Sequence, residues 1–159
     1  MSYSKHLKCA AAILGIAAVG TIATAALASP GSGISSDILV TADLDEPGHI
    51  NSDRVKFQTK DRTDVRVQRL TFAAGAYSGW HHHPGVIIVA VASGSVTLTE
   101  SNCGSKIYGP GLPNGSVFVE GHDSVQQATS ATGAVVYVTY VAPSADPPVF
   151  RIEDPVQSC

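Results

Sequence analysis

Metal-capable side chains are concentrated at one place in the chain, Trp80-His81-His82-His83-Pro84-Gly85. On an extended segment successive side chains alternate between faces, so His81 and His83 point one way and His82 the other. Two imidazoles at i and i+2 are a natural start for a Zn, Fe, Mn, Cu or Ni site. Spacing alone does not decide the matter, because histidine-rich surface turns also occur without a bound metal. Trp80 beside the pair reads either as a pocket wall or as a packing residue at the mouth of a fold. His49 reads as solvated. Serines are plentiful, but no Gly-x-Ser-x-Gly elbow accompanies them, so a serine hydrolase is not supported. His-Glu-x-x-His and phosphate-cradling glycine loops are absent.

The surroundings of the histidines add to the signal. Gly75, five residues, His81-x-His83 and then Gly94 at the end of an apolar run resembles the first motif of the cupin superfamily. That motif is a glycine, five residues, His-x-His, three or four residues, a glutamate, six residues and a glycine. Gly115-Ser116-Val117-Phe118-Val119-Glu120-Gly121 resembles the opening of the second cupin motif, whose histidine would fall on the polar strand around Gln126. The resemblance spans residues 64–142 and implies an all-β, single-domain, jelly-roll-like barrel holding a metal inside with side chains from both motifs.

Two positions depart from the family pattern. Its glutamate falls on Ile87 and its second-motif histidine on Gln126, so the implied metal ligands are His81, His83 and a neutral amide, Gln126. An amide oxygen is a poorer ligand than imidazole for late transition metals. Without the carboxylate, a bound divalent ion would keep its full charge and open positions, favouring water or an anionic group such as a carboxylate or enolate. Ile87 would make that wall of the pocket apolar, suited to a small organic ligand. His122 lies four residues before Gln126, roughly 13 Å away along an extended strand, and would reach the site only through a loop rearrangement or a register change.

The elements that must position these residues are strands. Val86 to Ala92 is a continuous, β-branched apolar run, too short for a typical helix and fit for a buried strand. After Ser93-Gly94, Val96-Thr97-Leu98-Thr99 reads as the second arm of a hairpin. Val135 to Val141 is β-branched and aromatic throughout, and Tyr137 and Tyr140, of opposite parity, place at most one ring inside. Val117 to Val119, a polar strand at Val125 to Thr129, and Lys106-Ile107-Tyr108 complete the set. Val65-Arg66-Val67 and Leu70-Thr71-Phe72 each alternate, but their phases disagree at Gln68-Arg69, which predicts a bulge between two strand segments. Short strands between Gly/Pro turns mean a sandwich or barrel.

The chain begins with a basic stretch holding Lys5 and Lys8, runs apolar and Ala-rich from Cys9 to Ala28, and ends that run on Ala26-Leu27-Ala28. This is the layout of a signal peptide cleaved after Ala28, so the expected product is secreted. The alternative is an uncleaved membrane anchor, which the length of the run permits. The expected organisation is a leader at 1–28, an N-terminal arm at 29–60, the barrel at 61–142 and an extended tail at 143–159. Removing Lys5 and Lys8 takes the formal charge from −3 to −5, and no basic cluster remains to bind nucleic acid or an anionic membrane. Cys103 and Cys159 remain as a pair that an oxidising compartment would join.

Three functions fit this reading. The first is an exported module that binds a divalent metal (Zn, Mn, Ni or Fe), a small organic ligand, or both, inside the barrel. The second is a metal-dependent dioxygenase, isomerase or lyase acting on a small anionic substrate. The third is an interaction domain with a filled barrel. No catalytic residue is identified, and the oligomeric state is open.

Overall fold

The computed structural model describes residues 29–121 and 123–159. The expected leader and its expected cleavage site, Cys9 and His122 lie outside them. All regular elements among the described residues are strands. They are β1 (Ser32–Leu44), β2 (His49–Asn51), β3 (Lys56–Gln58), β4 (Thr63–Tyr77), β5 (His81–His82), β6 (Val86–Gly94), β7 (Val96–Glu100), β8 (Ser105–Tyr108), β9 (Val117–Glu120), β10 (Gln126–Ser130), β11 (Ala134–Pro143) and β12 (Ile152–Glu153). No helix among these residues is long and apolar enough to cross a membrane.

Ten strands form one sheet in the order β12-β5-β10-β4-β11-β6-β9, with β1 on β4 and the β7–β8 hairpin on β10. The sheet curls into a nearly closed barrel. β2 and β3 pair separately as a hairpin. In the N-terminal stretch, β1 pairs with β4 along its whole length, so Ile38-Leu39-Val40 is the middle of a 13-residue strand.

Alternation sets the inside. On β11, Ala134, Val136, Val138, Tyr140 and Ala142 are buried, and Tyr137 faces out. On β6, Ile87, Val89 and Val91 are buried. Their neighbours Val86 and Ile88 are 49% and 43% exposed, so this apolar run is covered on one face only.

Two local expectations are corrected. β7 does not fold back on β6; it pairs with β8 and β10, while β6 lies between β11 and β9. Gly94, at φ +70, turns the chain away where a Cβ would meet the Gly133 carbonyl oxygen at 2.0 Å. Nor does a bulge divide β4. From Thr63 to Phe72 it runs unbroken in register with β11, and of the two register shifts in the β1–β4 pairing the one at this point lies in β1, between Ile38 and Val40. From Arg66 to Phe72 the even-numbered residues of β4 face inward, so Arg66 and Gln68 line the interior with Leu70 and Phe72. The apparent phase slip arose because two polar side chains occupy inward positions.

Directly opposite residues of an antiparallel pair share a face, and three transverse rows therefore floor the barrel. The first is Arg66–Tyr140–Ile87–Glu120, the second Gln68–Val138–Val89–Phe118 and the third Leu70–Val136–Val91. Polarity falls from the first row to the third, so the interior is apolar at one end and chemically equipped at the other.

Candidate metal and ligand site

The two histidines enter from β5 and the residue after it. Gly79 makes the approach possible: at φ +74, its missing Cβ would lie 1.7 Å from the Ser29 carbonyl oxygen, so any side chain there would collide with backbone. Beyond it His81 and His83 are buried, at 5% and 2% exposure, with rings 4.9 Å apart and nearly perpendicular. His82 points the other way, where its Nδ1–H donates to Asp154 Oδ2 at 2.6 Å.

Hydrogen bonds fix which nitrogen of each inward ring carries the proton. His81 Nδ1 lies 2.9 Å from the Gly79 carbonyl oxygen and His83 Nδ1 lies 2.6 Å from that of Phe150. A carbonyl only accepts, so both Nδ1 atoms are protonated and, in the neutral rings, both Nε2 atoms offer lone pairs. This is the arrangement that orients imidazoles as metal ligands. His83 Nε2 faces Glu120 Oε2 at 3.0 Å. A lone pair opposite a carboxylate oxygen is held together only by a cation between them, either a proton or a metal ion.

Glu120 completes the cluster. The donor atoms of His81, His83 and Glu120 all lie within 4.8 Å of one another, and all three residues are buried. Two imidazoles and one carboxylate are a donor set suited to Zn, Fe, Mn or Ni, so the residues present fit a divalent transition metal. Burial first, then the nearby Arg151 guanidinium, lowers His81 from 6.5 to about 3. The ring is therefore neutral, and free to donate its lone pair, across the ordinary pH range.

Glu120 corrects the expectation that the carboxylate is missing. Ile87, which stands at the family's glutamate position, is fully buried and lies directly opposite Glu120 in the β6–β9 ladder. The acid has moved one strand sideways on the same inner face. A bound ion would accordingly be partly neutralised rather than keep its full charge. The signal available in the sequence was parity: with Phe118 inward on β9, Glu120 two residues later must also face in.

Gln126 is paired with His81 across β5 and β10, which puts both side chains on the inner face. It is 2% exposed, and its Nε2 has no hydrogen-bond partner. Trp80 is buried away from the barrel cavity, in a cleft it shares with Cys103 and Cys159. That pair forms a disulfide with Cα atoms 5.5 Å apart. It anchors the tail, whose Phe150 packs in the core and whose Asp154 N–H donates to the Trp80 carbonyl at 2.9 Å.

Beside the cluster lies a cavity of about 680 Å³, within the size range of small-ligand sites. His81, His83 and Glu120 line one part, Arg66, Gln68 and Tyr140 another, and Val89, Phe118 and Val136 the apolar floor. Burial, then Glu120, raises Tyr140 to about 12, so its hydroxyl stays protonated.

No family model matches the chain, and no curated protein sequence does. Solved structures do. A cupin superfamily protein from Desulfitobacterium hafniense is similar over 69% of this chain and 78% of its own, at 13% identity and TM-score 0.49. An oxalate oxidase is similar over 47% of this chain, at 22% identity and TM-score 0.40. A salicylate 1,2-dioxygenase from Pseudaminobacter salicylatoxidans is similar over 47%, at 15% identity and TM-score 0.41. The match spans 40% of the oxalate oxidase chain and 20% of the dioxygenase chain. One of these neighbours is described as a cupin superfamily protein, and this chain is itself an all-β, nearly closed barrel.

Proposed function

We propose that the protein is an exported cupin-type module that binds a divalent transition metal through His81, His83 and Glu120, with a small organic ligand in the adjoining cavity. The observation that carries this reading is His83: its Nδ1–H is committed to the Phe150 carbonyl, and its Nε2 faces the Glu120 carboxylate at 3.0 Å. A divalent ion held there would supply Lewis acidity and coordination positions open to water or an anionic group. The Gln126 amide, beside His81, is proposed as a further ligand or as the group that orients a water. Tyr140 walls the site, the buried Ile87 backs Glu120 from the facing strand, and the disulfide-anchored tail covers it. Metal analysis of the mature protein, purified without a histidine tag, tests the reading. About one equivalent of a transition metal supports it, and no binding of Zn, Mn, Ni or Fe(II) in titration removes it.

Export is proposed from the basic start, the apolar run and Ala26-Leu27-Ala28, and the disulfide is compatible with an extracellular protein. N-terminal sequencing of secreted material should begin at Ser29. Recovery of residues 1–28 in a membrane fraction would refute cleavage.

A second reading, a metal-dependent dioxygenase, isomerase or lyase, is favoured by one observation. Two imidazoles and one carboxylate fill only part of a metal's coordination, which is the arrangement of sites that bind substrate at the ion. Turnover of a small carboxylate that requires the metal and disappears in Glu120→Gln would establish it.

A further inference from the structure

We propose that Arg66 is the docking residue for the carboxylate of the cavity's ligand, which makes that ligand a small molecule with a carboxylate on an apolar, aryl-sized body. The inference rests on the reading of the cavity as a ligand site, but not on a metal being bound.

Arg66 is set apart by what it lacks. Every other described arginine lies against a carboxylate: Arg54 on Asp53, Arg62 on Asp43, Arg69 on Asp37 and Arg151 on Glu153. Among the described residues Arg66 has no such partner, although it lines the barrel cavity. Its guanidinium is nevertheless held in place. Nε–H donates to Thr41 Oγ1 at 3.1 Å, and Cζ sits 4.1 Å above the Phe150 ring. Stacking on an aromatic face and one fixed bond orient the planar fork while leaving the terminal N–H groups to a ligand. Such a fork matches a carboxylate with two parallel hydrogen bonds.

The first transverse row gives the rest of the ligand. Arg66 and Glu120 are its two ends, with Tyr140 and Ile87 between. Three strand spacings separate them, roughly 14 Å along the sheet and less across its curve, which the two side chains shorten further. A molecule of aryl-carboxylate size fits between a cation at one end and the His81–His83–Glu120 cluster at the other. Its body would lie over Tyr140 and Val138. Phe150 ties both ends together, since its ring carries Arg66 and its carbonyl holds His83.

The test is calorimetric titration of the mature protein, with and without added Mn(II), using 3-phenylpropanoate and its uncharged amide. Wild-type protein is expected to prefer the carboxylate by about tenfold or more. Arg66→Gln should abolish that preference by weakening the carboxylate alone, and Arg66→Lys should keep part of it. Arg69→Gln, on the outer face of the same strand, should change nothing. If Arg66→Gln does not fold, Arg66→Lys and the carboxylate-to-amide ratio still decide. An unchanged preference in the Arg66 variants overturns the proposal, and so does failure of both compounds to bind. Preference that needs Mn(II) but not Arg66 also overturns it, placing the carboxylate on the metal instead. An Arg66-dependent preference in protein that binds no metal would sustain this proposal and sink the metal reading.

Discussion

Glu120 stands directly across the β6–β9 ladder from Ile87, so a buried carboxylate and a buried isobutyl-sized side chain share one cross-strand pair. Cross-strand partners have Cβ atoms about 5 Å apart and point to the same face. Either strand could therefore present an acid to His81 and His83. In this chain the acid comes from β9, and β6 contributes the apolar neighbour that seals it from solvent.

The exchange of roles is testable. Glu120→Ile should lower divalent-metal affinity by more than the about 10–100-fold that loss of a supporting partner costs. Ile87→Glu added to Glu120→Ile should restore much of it, because the carboxylate returns on the same face one strand away. Titration with Zn and Mn across the three proteins checks this. A double variant no better than the single one would show that the β9 position cannot be replaced.

His81 and His83 should each be indispensable, and His82 should not. His82 binds Asp154 rather than the cavity, so His82→Ala is expected to keep most metal affinity while loosening the tail. His81→Ala and His83→Ala should each abolish binding in the same titration. Equal binding in all three variants would refute the site.

How far the sequence reached depended on which faces were apolar. Period-two counting put His81 and His83 on one face, and the structure places both in the barrel interior. Cys103 and Cys159, the two cysteines beyond the apolar N-terminal run, are joined. A β-branched and aromatic run identified β11 directly. Counting failed where the barrel's interior is polar. Arg66 and Gln68 face inward, and they made Val65 and Val67 look like the core side of β4. Glu120 was hidden for a different reason. Its partner Ile87 is 33 positions away in sequence, and the β6–β9 pairing joins strands that are not chain neighbours. The β7 error has the same origin, because a hairpin is a local expectation and this topology crosses over.

Acid should destabilise the metal-free protein through His81. Its folded pKa of about 3 lies below the ordinary 6.5, so between those values the unfolded chain binds a proton that the folded chain does not. Stability is then retained above pH 6.5 and falls as pH drops towards 3, by about 1.4 kcal/mol per pH unit from this group. Urea unfolding with chelator present, at pH 7, 5.5 and 4.5, measures the slope. His81→Gln should flatten it, and an unchanged slope in that variant would assign the effect to other groups.

The tail should depend on its disulfide. Cys103–Cys159 closes a loop with a sequence separation of 56, for which the chain-entropy model gives about 4 kcal/mol. Cys103→Ser and Cys159→Ser should lower the melting temperature, and native protein should show no free thiol among the described residues. Because the tail supplies the Phe150 carbonyl to His83, both variants should also bind metal more weakly. Unaltered melting would mean that Phe150, Asp154 and the β12–β5 pairing hold the tail without the disulfide.

Gln126 offers the sharpest comparison, since two substitutions there predict opposite things. Its Nε2 is buried without a partner, and an unsatisfied buried donor costs about 1–3 kcal/mol. Gln126→Leu, apolar and similar in shape, should therefore leave metal-free protein as stable as wild type or more so. Gln126→His places a third imidazole on the strand facing His81. That ligand is better than an amide for late transition metals, and affinity for Zn and Ni should rise on the order of tenfold. The two readouts separate packing from coordination. If Gln126→Leu stabilises the metal-free protein but weakens metal binding, the amide is a ligand kept at a cost to the fold. Should Gln126→Leu leave metal binding unchanged while Gln126→His improves it, the amide is a bystander in a position able to serve. A Gln126→His variant with no gain over wild type would mean that the inner face at β10 does not reach the ion, and His81, His83 and Glu120 would be the whole site.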